Sequence, residues 1–257
     1  MNFKGNYVAF RTIFDKDVNR ILRIWTQTLL PSVITIALYF VIFGQFIGSQ
    51  VKEINGFSYI DFIVPGLVMM AVITNSFTNV ATSFFMGKFG KSVEEVLVSP
   101  TPNWIIVVGH TAGGVFRGLL VGIIVLLISL LFTSLKIYSL TIVIMFILLT
   151  AIVFSLSGLM NAIFAKKFDH INIIPTFVLT PLTFLGGIFY SIHALPPFWQ
   201  GVSLLNPILY MVNGFRYGFL GISDINIWIG LWLLTILAIG LFVVDLYLMK
   251  KGIGLKS

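Results

Sequence analysis

Long apolar runs alternate with short polar joints along this chain. Six runs reach the length of about 17 residues or more that a helix needs to cross a hydrocarbon core. They are Thr28 to Gly48, Ile60 to Phe85, Trp104 to Phe132, Leu140 to Ala165, Ile171 to Tyr190 and Ile227 to Met249. The third would reach about 43 Å at 1.5 Å per residue, past a core of about 30 Å, so it tilts or overhangs. Pro175 and Pro181 are expected to kink the fifth. Between the fifth and sixth runs, Phe184 to Leu220 is nearly all apolar but is interrupted by Pro196-Pro197 and by Asn206-Pro207. Proline removes a backbone donor and clashes with the preceding turn, so no single helix crosses here. The pattern predicts a re-entrant hairpin over 191–220, shielded by the other helices, because bare backbone at membrane depth survives only inside protein or beside water.

Residues 1–25 show a different period. Phe3, Tyr7, Phe10, Phe14, Ile21 and Trp25 fall at three- and four-residue steps or their multiples, with Lys4, Arg11, Lys16, Arg20 and Arg23 among them. An amphipathic helix of this kind lies in the headgroup plane against anionic lipid. The plainer reading is a helix packed on its own protein.

Composition narrows the class. The chain is 58% hydrophobic and only 10% charged, with mean hydropathy +1.03. A soluble domain carries about 25% charged residues. The fold class is therefore an all-α polytopic membrane protein in the plasma (cell inner) membrane, with six spans and one domain over 1–257. The net charge of +7 reflects the cytoplasmic-loop bias of membrane proteins rather than nucleic-acid binding. Of sixteen Lys and Arg, twelve lie in the N-terminal helix, the loop 86–103, the loop 166–170 and the C-terminal tail. Lys52, Lys136 and Arg216 fall on the other side, which places both termini in the cytoplasm. The first 24 residues carry five basic and two acidic side chains and no apolar h-region, unlike a secretory signal. Absence of cysteine excludes disulfides and thiolate chemistry.

Candidate chemistry is sparse. Gly90-Lys91-Ser92 looks like the end of a phosphate loop, but Phe85 stands where that motif needs glycine, so nucleotide binding is rejected. What remains in that loop is a short helix, Ser92 to Val98, capped by Ser92 with Glu95 as reciprocal partner and stopped by Pro100 and Pro102. Val93, Val96 and Leu97 make its apolar face beside Glu94 and Glu95. It is either a solvated loop helix or a plug for a soluble partner. In the second span Asn75, Thr78, Asn79 and Thr82 fall near helical spacing; they either bond neighbouring helices or line a path. Gly109, Gly113, Gly114, Gly118 and Gly122 mark the third span as a close-packing helix. Arg117 on the same span either snorkels at the inner interface or is a buried functional charge. His110, His170 and His193 lack metal-ligand spacing. Asp61 and Asp245 lie near span ends, and no acidic residue sits clearly at mid-membrane.

Three segments together resemble a known family, the membrane permeases of ABC-2 type transporters. Lys91-Ser92-Val93-Glu94-Glu95-Val96-Leu97-Val98-Ser99-Pro100 is similar to its basic–Thr–x–Glu–x–x–Leu–x–Ser–Pro coupling segment, with Ser92 where threonine is commoner. Phe184-Leu185-Gly186-Gly187 with Leu195-Pro196-Pro197-Phe198-Trp199 resembles its fifth-span exit. Leu205-Asn206-Pro207-Ile208-Leu209-Tyr210 followed by Arg216 resembles its Asn-Pro-x-x-Tyr…Arg segment. The resemblance spans nearly the whole length. It implies a permease subunit of an ATP-driven exporter for a drug-, lipid- or glycan-type substrate, itself not an enzyme. It further implies a second permease copy in a homodimer and a separate ABC ATPase subunit docked under the coupling helix. That subunit would hold ATP and Mg, with no cofactor on this chain. The alternatives are a stand-alone secondary transporter, whose mark would be a paired intramembrane charge, and a membrane enzyme, which would need clustered His, Asp or Glu.

Overall fold

A computed structural model describes residues 3–48, 50, 51, 53–134 and 136–254. Lys52 and Lys256, counted above in the charge pattern, lie outside the described residues. The chain forms α1 (Phe3–Arg23), α2 (Trp25–Thr28), α3 (Leu30–Tyr39), α4 (Tyr59–Phe89), α5 (Ser92–Val98), α6 (Asn103–Ser129), α7 (Leu140–Phe164), α8 (Phe168–Ile174), α9 (Thr180–Phe184), α10 (Pro197–Leu204), α11 (Pro207–Leu220) and α12 (Ile227–Lys251). A π-helical turn, Phe40–Ile47, prolongs α3, and another, Pro175–Leu179, joins α8 to α9. A hairpin, β1 (Glu53–Ile54) with β2 (Phe57–Ser58), leads into α4. Its turn is Asn55-Gly56, both at positive φ, the residue pair that tight hairpins favour. The apolar pattern gives no hint of this hairpin because it is too short to show a period.

Among the described residues, five helical stretches are long and apolar enough to cross a membrane: Trp25–Gly44, Tyr59–Phe89, Asn103–Ser129, Leu140–Phe164 and Ile227–Lys251. The expected fifth span is different. The continuous helix there runs only from Phe168 to Phe184, about 26 Å at 1.5 Å per residue and short of a core of about 30 Å. It stops six residues before the expected Tyr190, because Gly187 takes φ +68, a left-handed conformation that ends regular helix. The third span likewise stops at Ser129 rather than Phe132.

α4 is the axis of the bundle. In its most apolar stretch 78% of residues are buried, against 17% for Trp25–Gly44 and 11% for α12. Ser58 caps it, its Oγ accepting from Asp61 N at 3.3 Å. The glycines of α6 explain how helices come so close to it. Gly114, Gly118 and Gly122 lie against Val80, Ser76 and Val72 of α4, one turn apart on both helices. Gly109 and Gly113, on a neighbouring stripe, lie against Ile13 and Asp17 of α1. A Cβ on Gly109 would stand 2.8 Å from Ile13, and one on Gly113 would stand 2.7 Å from Asp17. Small residues of this kind let backbones approach in a lipid setting, where apolar burial alone gives little drive. Gly158 of α7 repeats the device against the backbone of Phe77.

α1 therefore packs on the spans, through only part of the face expected from its period, Phe14 and Ile21, together with Ile13 and Asp17. Phe3, Tyr7 and Trp25 are exposed, while Asp17 and Ile21 are buried and Phe14 meets Phe116 edge-on. Phe3, Tyr7 and Trp25 are left free for the headgroup zone, and the side facing α6 is set by the glycine groove.

Candidate functional site

Two regions resembling family segments lie on opposite sides of the α4 axis: the α5 loop after its C-terminal end, and the irregular stretch between α9 and α11.

α5 covers Ser92–Val98, as its pattern predicts, but its start is built differently. Lys91 stands before it in the left-handed region, φ 59, and makes no side-chain cap. Ser92 Oγ donates to Gly87 O at 3.2 Å instead of capping the helix, so the reciprocal Ser92–Glu95 arrangement is absent. At the far end Ser99 N bonds Glu95 O and Ser99 Oγ donates to Val96 O at 2.6 Å, just ahead of Pro100. The apolar face is also corrected. Val93 is buried, and Val96 and Leu97 pack on the protein's own core. A short helix at the end of the bundle axis finds its apolar partner inside its own chain, with Val93 against Gly87. The outward surface consists of Lys91, Glu94, Glu95 and Val98, beside exposed Phe89.

The polar stripe of α4 mainly joins helices. Asn75 Nδ2 donates to Ala71 O at 2.9 Å and to Ser32 Oγ at 3.2 Å. Asn79 Oδ1 accepts from Arg20 Nη2 at 2.8 Å. Thr78 and Thr82 are half-buried. Asn75 also lines a cleft of about 220 Å³ with Ser32, Thr35 and the exposed Thr74.

Arg117 is neither a free interfacial charge nor an isolated buried one. Its Nη2 donates to Thr28 O at 2.7 Å. That carbonyl sits at the break between α2 and α3, where Pro31 interrupts the ladder. Pro31 leaves Gln27 O without its usual donor, and Arg117 serves the next carbonyl, Thr28 O, at the same break.

In the second region a 3₁₀ turn, Ile192–Ala194, and two short helices replace any single long one. Pro196 precedes α10 and Pro197 opens it. Asn206 caps α11, its Oδ1 accepting from Ile208 N at 3.0 Å, while Nδ2 donates to Leu182 O at 2.6 Å. Pro207 takes the first helical position, where its missing N–H costs nothing. Tyr210 OH donates to Leu204 O at 2.9 Å. Arg216 is fully buried and bonds backbone carbonyls instead of reaching headgroups. Its Nη2 donates to Gly187 O at 2.6 Å and Ile188 O at 3.3 Å, and its Nε to Phe62 O at 3.2 Å. The guanidinium also lies 3.8 Å from the Phe62 ring centre. Gly187 and Ile188 lie in the non-helical stretch after α9, and Arg216 ties that stretch to Phe62 of α4.

Two polar clusters escaped the sequence reading. Asp17 is buried between α1, α4 and α6, taking bonds from Ser83 and from His110 Nδ1 at 3.3 Å, with Arg20 at 4.0 Å. Burial by itself would raise its pKa, but the His110 and Ser83 bonds and the Arg20 charge outweigh that, and the carboxyl sits below its ordinary 3.8. A polar residue spaced with Ile13 and Ile21 on α1 was the signal available. The second cluster is Asn213 Oδ1, which accepts from Asp224 N at 2.9 Å, while Asp224 Oδ2 accepts from Ile192 N at 3.0 Å. Asp245 of α12 is fully buried and neither carboxylate oxygen has a partner. Among the described residues no three His, Asp or Glu side chains gather as a metal site would require.

An α5-type loop at the end of a central span, a proline-broken hairpin before the last span and an amphipathic helix ahead of the first define a polytopic transport permease. The chain belongs to the ABC-2 type transporter family, whose pattern matches residues 8–220. It is 53% identical over 251 residues to the inner membrane transport permease YadH of Escherichia coli K12, covering 98% of both chains. It is also 22% identical to nodulation protein J of Rhizobium leguminosarum bv. viciae over 88% of this chain and 90% of that protein. This chain is a multi-pass inner-membrane permease.

Proposed function

We propose that this chain is the membrane subunit of an ATP-driven exporter that works as a homodimer with separate ABC ATPase subunits. Both termini and α5 face the cytoplasm, and ATP and Mg are held by the ATPase. The cargo is of the drug, lipid or glycan type. The observation that carries the reading is the outer surface of α5. It is seated on the bundle axis by Val93, yet leaves Phe89 and Val98 exposed beside Glu94 and Glu95. An ABC ATPase partner follows from the family in general. A mobile ATPase needs a rigid lever to push, and a helix anchored at the end of α4 supplies one.

Apolar burial should dominate that contact. A fully buried aliphatic side chain contributes about 1.5–3 kcal/mol, whereas an exposed ion pair contributes at most about 1 kcal/mol. Val98→Ser should therefore weaken ATPase binding by roughly tenfold or more, and Glu94→Gln by less. Copurification of the ATPase with tagged permease measures this, with thermal unfolding as the control. Full ATPase retention by a Phe89→Ser, Val98→Ser variant would place coupling elsewhere. Leu97→Ala is a different experiment, since Leu97 points inward and its loss loosens the seat of α5.

A further inference from the structure

A cavity of about 640 Å³ opens between α1, the last turns of α4 and the start of α5. Its wall carries three cationic side chains from α1, namely Lys16, Arg20 and Arg23. The one acid on the wall, Asp17, is already engaged by Ser83, His110 and Arg20. The cavity is therefore net positive. Lys16 and Arg23 are exposed and make no hydrogen bond or ion pair among the described residues. Arg20 Nη2 is held in place by Asn79 Oδ1, which fixes its guanidinium at the cavity wall. Ile24 and Met86 add apolar wall, and exposed Leu22 and Trp25 lie nearby in sequence.

Converging cations with spare donors match a phosphate group. Apolar wall next to them matches the glycerol and first methylenes of a lipid rather than a bare ion. We propose that this cavity binds the phosphate-bearing headgroup of an anionic membrane lipid. The general attraction of an amphipathic helix for anionic lipid needs no defined pocket; here a stoichiometric site is set by α4 as well as α1. Ser92 and Gly87 also line the cavity, and Ser92 opens α5. A bound headgroup would therefore brace the seat of α5 against the interfacial helix. The site needs no ATPase partner, so its test is independent of the proposed transport role.

The test uses the full permease without ATPase, in detergent, with phosphatidylglycerol and phosphatidylcholine as probes and native mass spectrometry as readout. One phosphatidylglycerol per chain is expected to be retained, with phosphatidylcholine lost. Lys16→Gln with Arg23→Gln should bind phosphatidylglycerol at least tenfold more weakly, while Lys16→Arg with Arg23→Lys keeps it. Lys4→Gln with Arg11→Gln removes the same charge from α1 outside the cavity and should leave retention unchanged. Neither pair of exposed residues supports the bundle, and circular dichroism checks that the fold is intact. Inorganic phosphate distinguishes the sources: failure to displace the lipid at millimolar concentration supports the lipid headgroup, and displacement moves the site to a soluble phosphate compound and overturns the lipid assignment. Equal retention by the Lys16 and Arg23 variant, or equal loss in the Lys4 and Arg11 variant, overturns the pocket altogether.

Discussion

Single polar side chains tie this bundle together where the helices break. Arg117 takes the Thr28 carbonyl at the α2–α3 break, and Arg216 takes the Gly187 and Ile188 carbonyls in the stretch after α9. Asp17 does the same work for the docking of α1. Its folded pKa is depressed, so its contribution is fully present above its ordinary value of 3.8 and is lost as pH falls through the lower folded value. Asp17→Asn should cost about 1.5–3 kcal/mol, the range for hydrogen bonds to a charged group. It should also flatten the acid limb of thermal stability below about pH 4, which differential scanning fluorimetry across pH measures. Asp245 is the opposite case, a buried carboxylate without partners. Asp245→Leu, which removes the unsatisfied polar atoms, should leave stability unchanged or raise it by about 1–3 kcal/mol. In an ATP-driven permease, Asp245→Asn should keep transport. Loss of transport with the fold intact would favour the secondary-transporter reading instead.

The elements were legible in proportion to their length. α4, α6, α7 and α12 begin and end within a few residues of the apolar runs that foretold them. α5 matched to the residue, because Pro100 and a charged start bracket it. Which side of a helix faces inward was legible for the glycine stripe of α6 and only partly for α1. α1 has an aromatic period, yet the glycine groove of α6 takes Ile13 and Asp17 instead. Gly113→Ala tests that groove. Its methyl would meet the Asp17 side chain at 2.7 Å, so the cost should be about 1–3 kcal/mol of overpacking. Because the chain has no cysteine, one introduced at Ile13 should react faster with a thiol reagent in the Gly113→Ala background. An unchanged rate would mean that α1 is held elsewhere.

At the scale of the molecule, the outer helices are unevenly covered. Little of Trp25–Gly44 and of α12 is buried in an isolated chain. Lipid accounts for apolar surface such as Trp232 and Ile236. It does not suit the exposed Thr74 or its cleft with Ser32, Thr35 and Asn75, since polar groups inside a membrane turn to protein or water. A second copy should face that cleft. Cysteine at Thr74 or Thr35 should then give symmetric disulfide dimers under mild oxidation, and cysteine at Trp232 should not. Dimers from Trp232 alone would place the partner on α12. The topology has a matching test: cysteine at Lys166 should resist membrane-impermeant reagents applied from outside.

Hydropathy alone determined that this is a helical membrane protein, and proline placement determined that residues 191–220 do not form one crossing helix. Both follow from local constraints: a helix needs an unbroken run of donors, and a span needs unbroken apolar length. Tertiary structure decided which partners the polar residues took. The count of basic residues gave Arg216 only a side of the membrane; the carbonyls it bonds come from residues 28 and 29 positions earlier in the chain and from Phe62, 154 earlier. The apolar face of α5 looked free for another protein, but the end of α4 and the bundle core already cover it. Sequence spacing orders residues along one helix; it carries no record of which neighbouring helix supplies the missing donor, acceptor or groove.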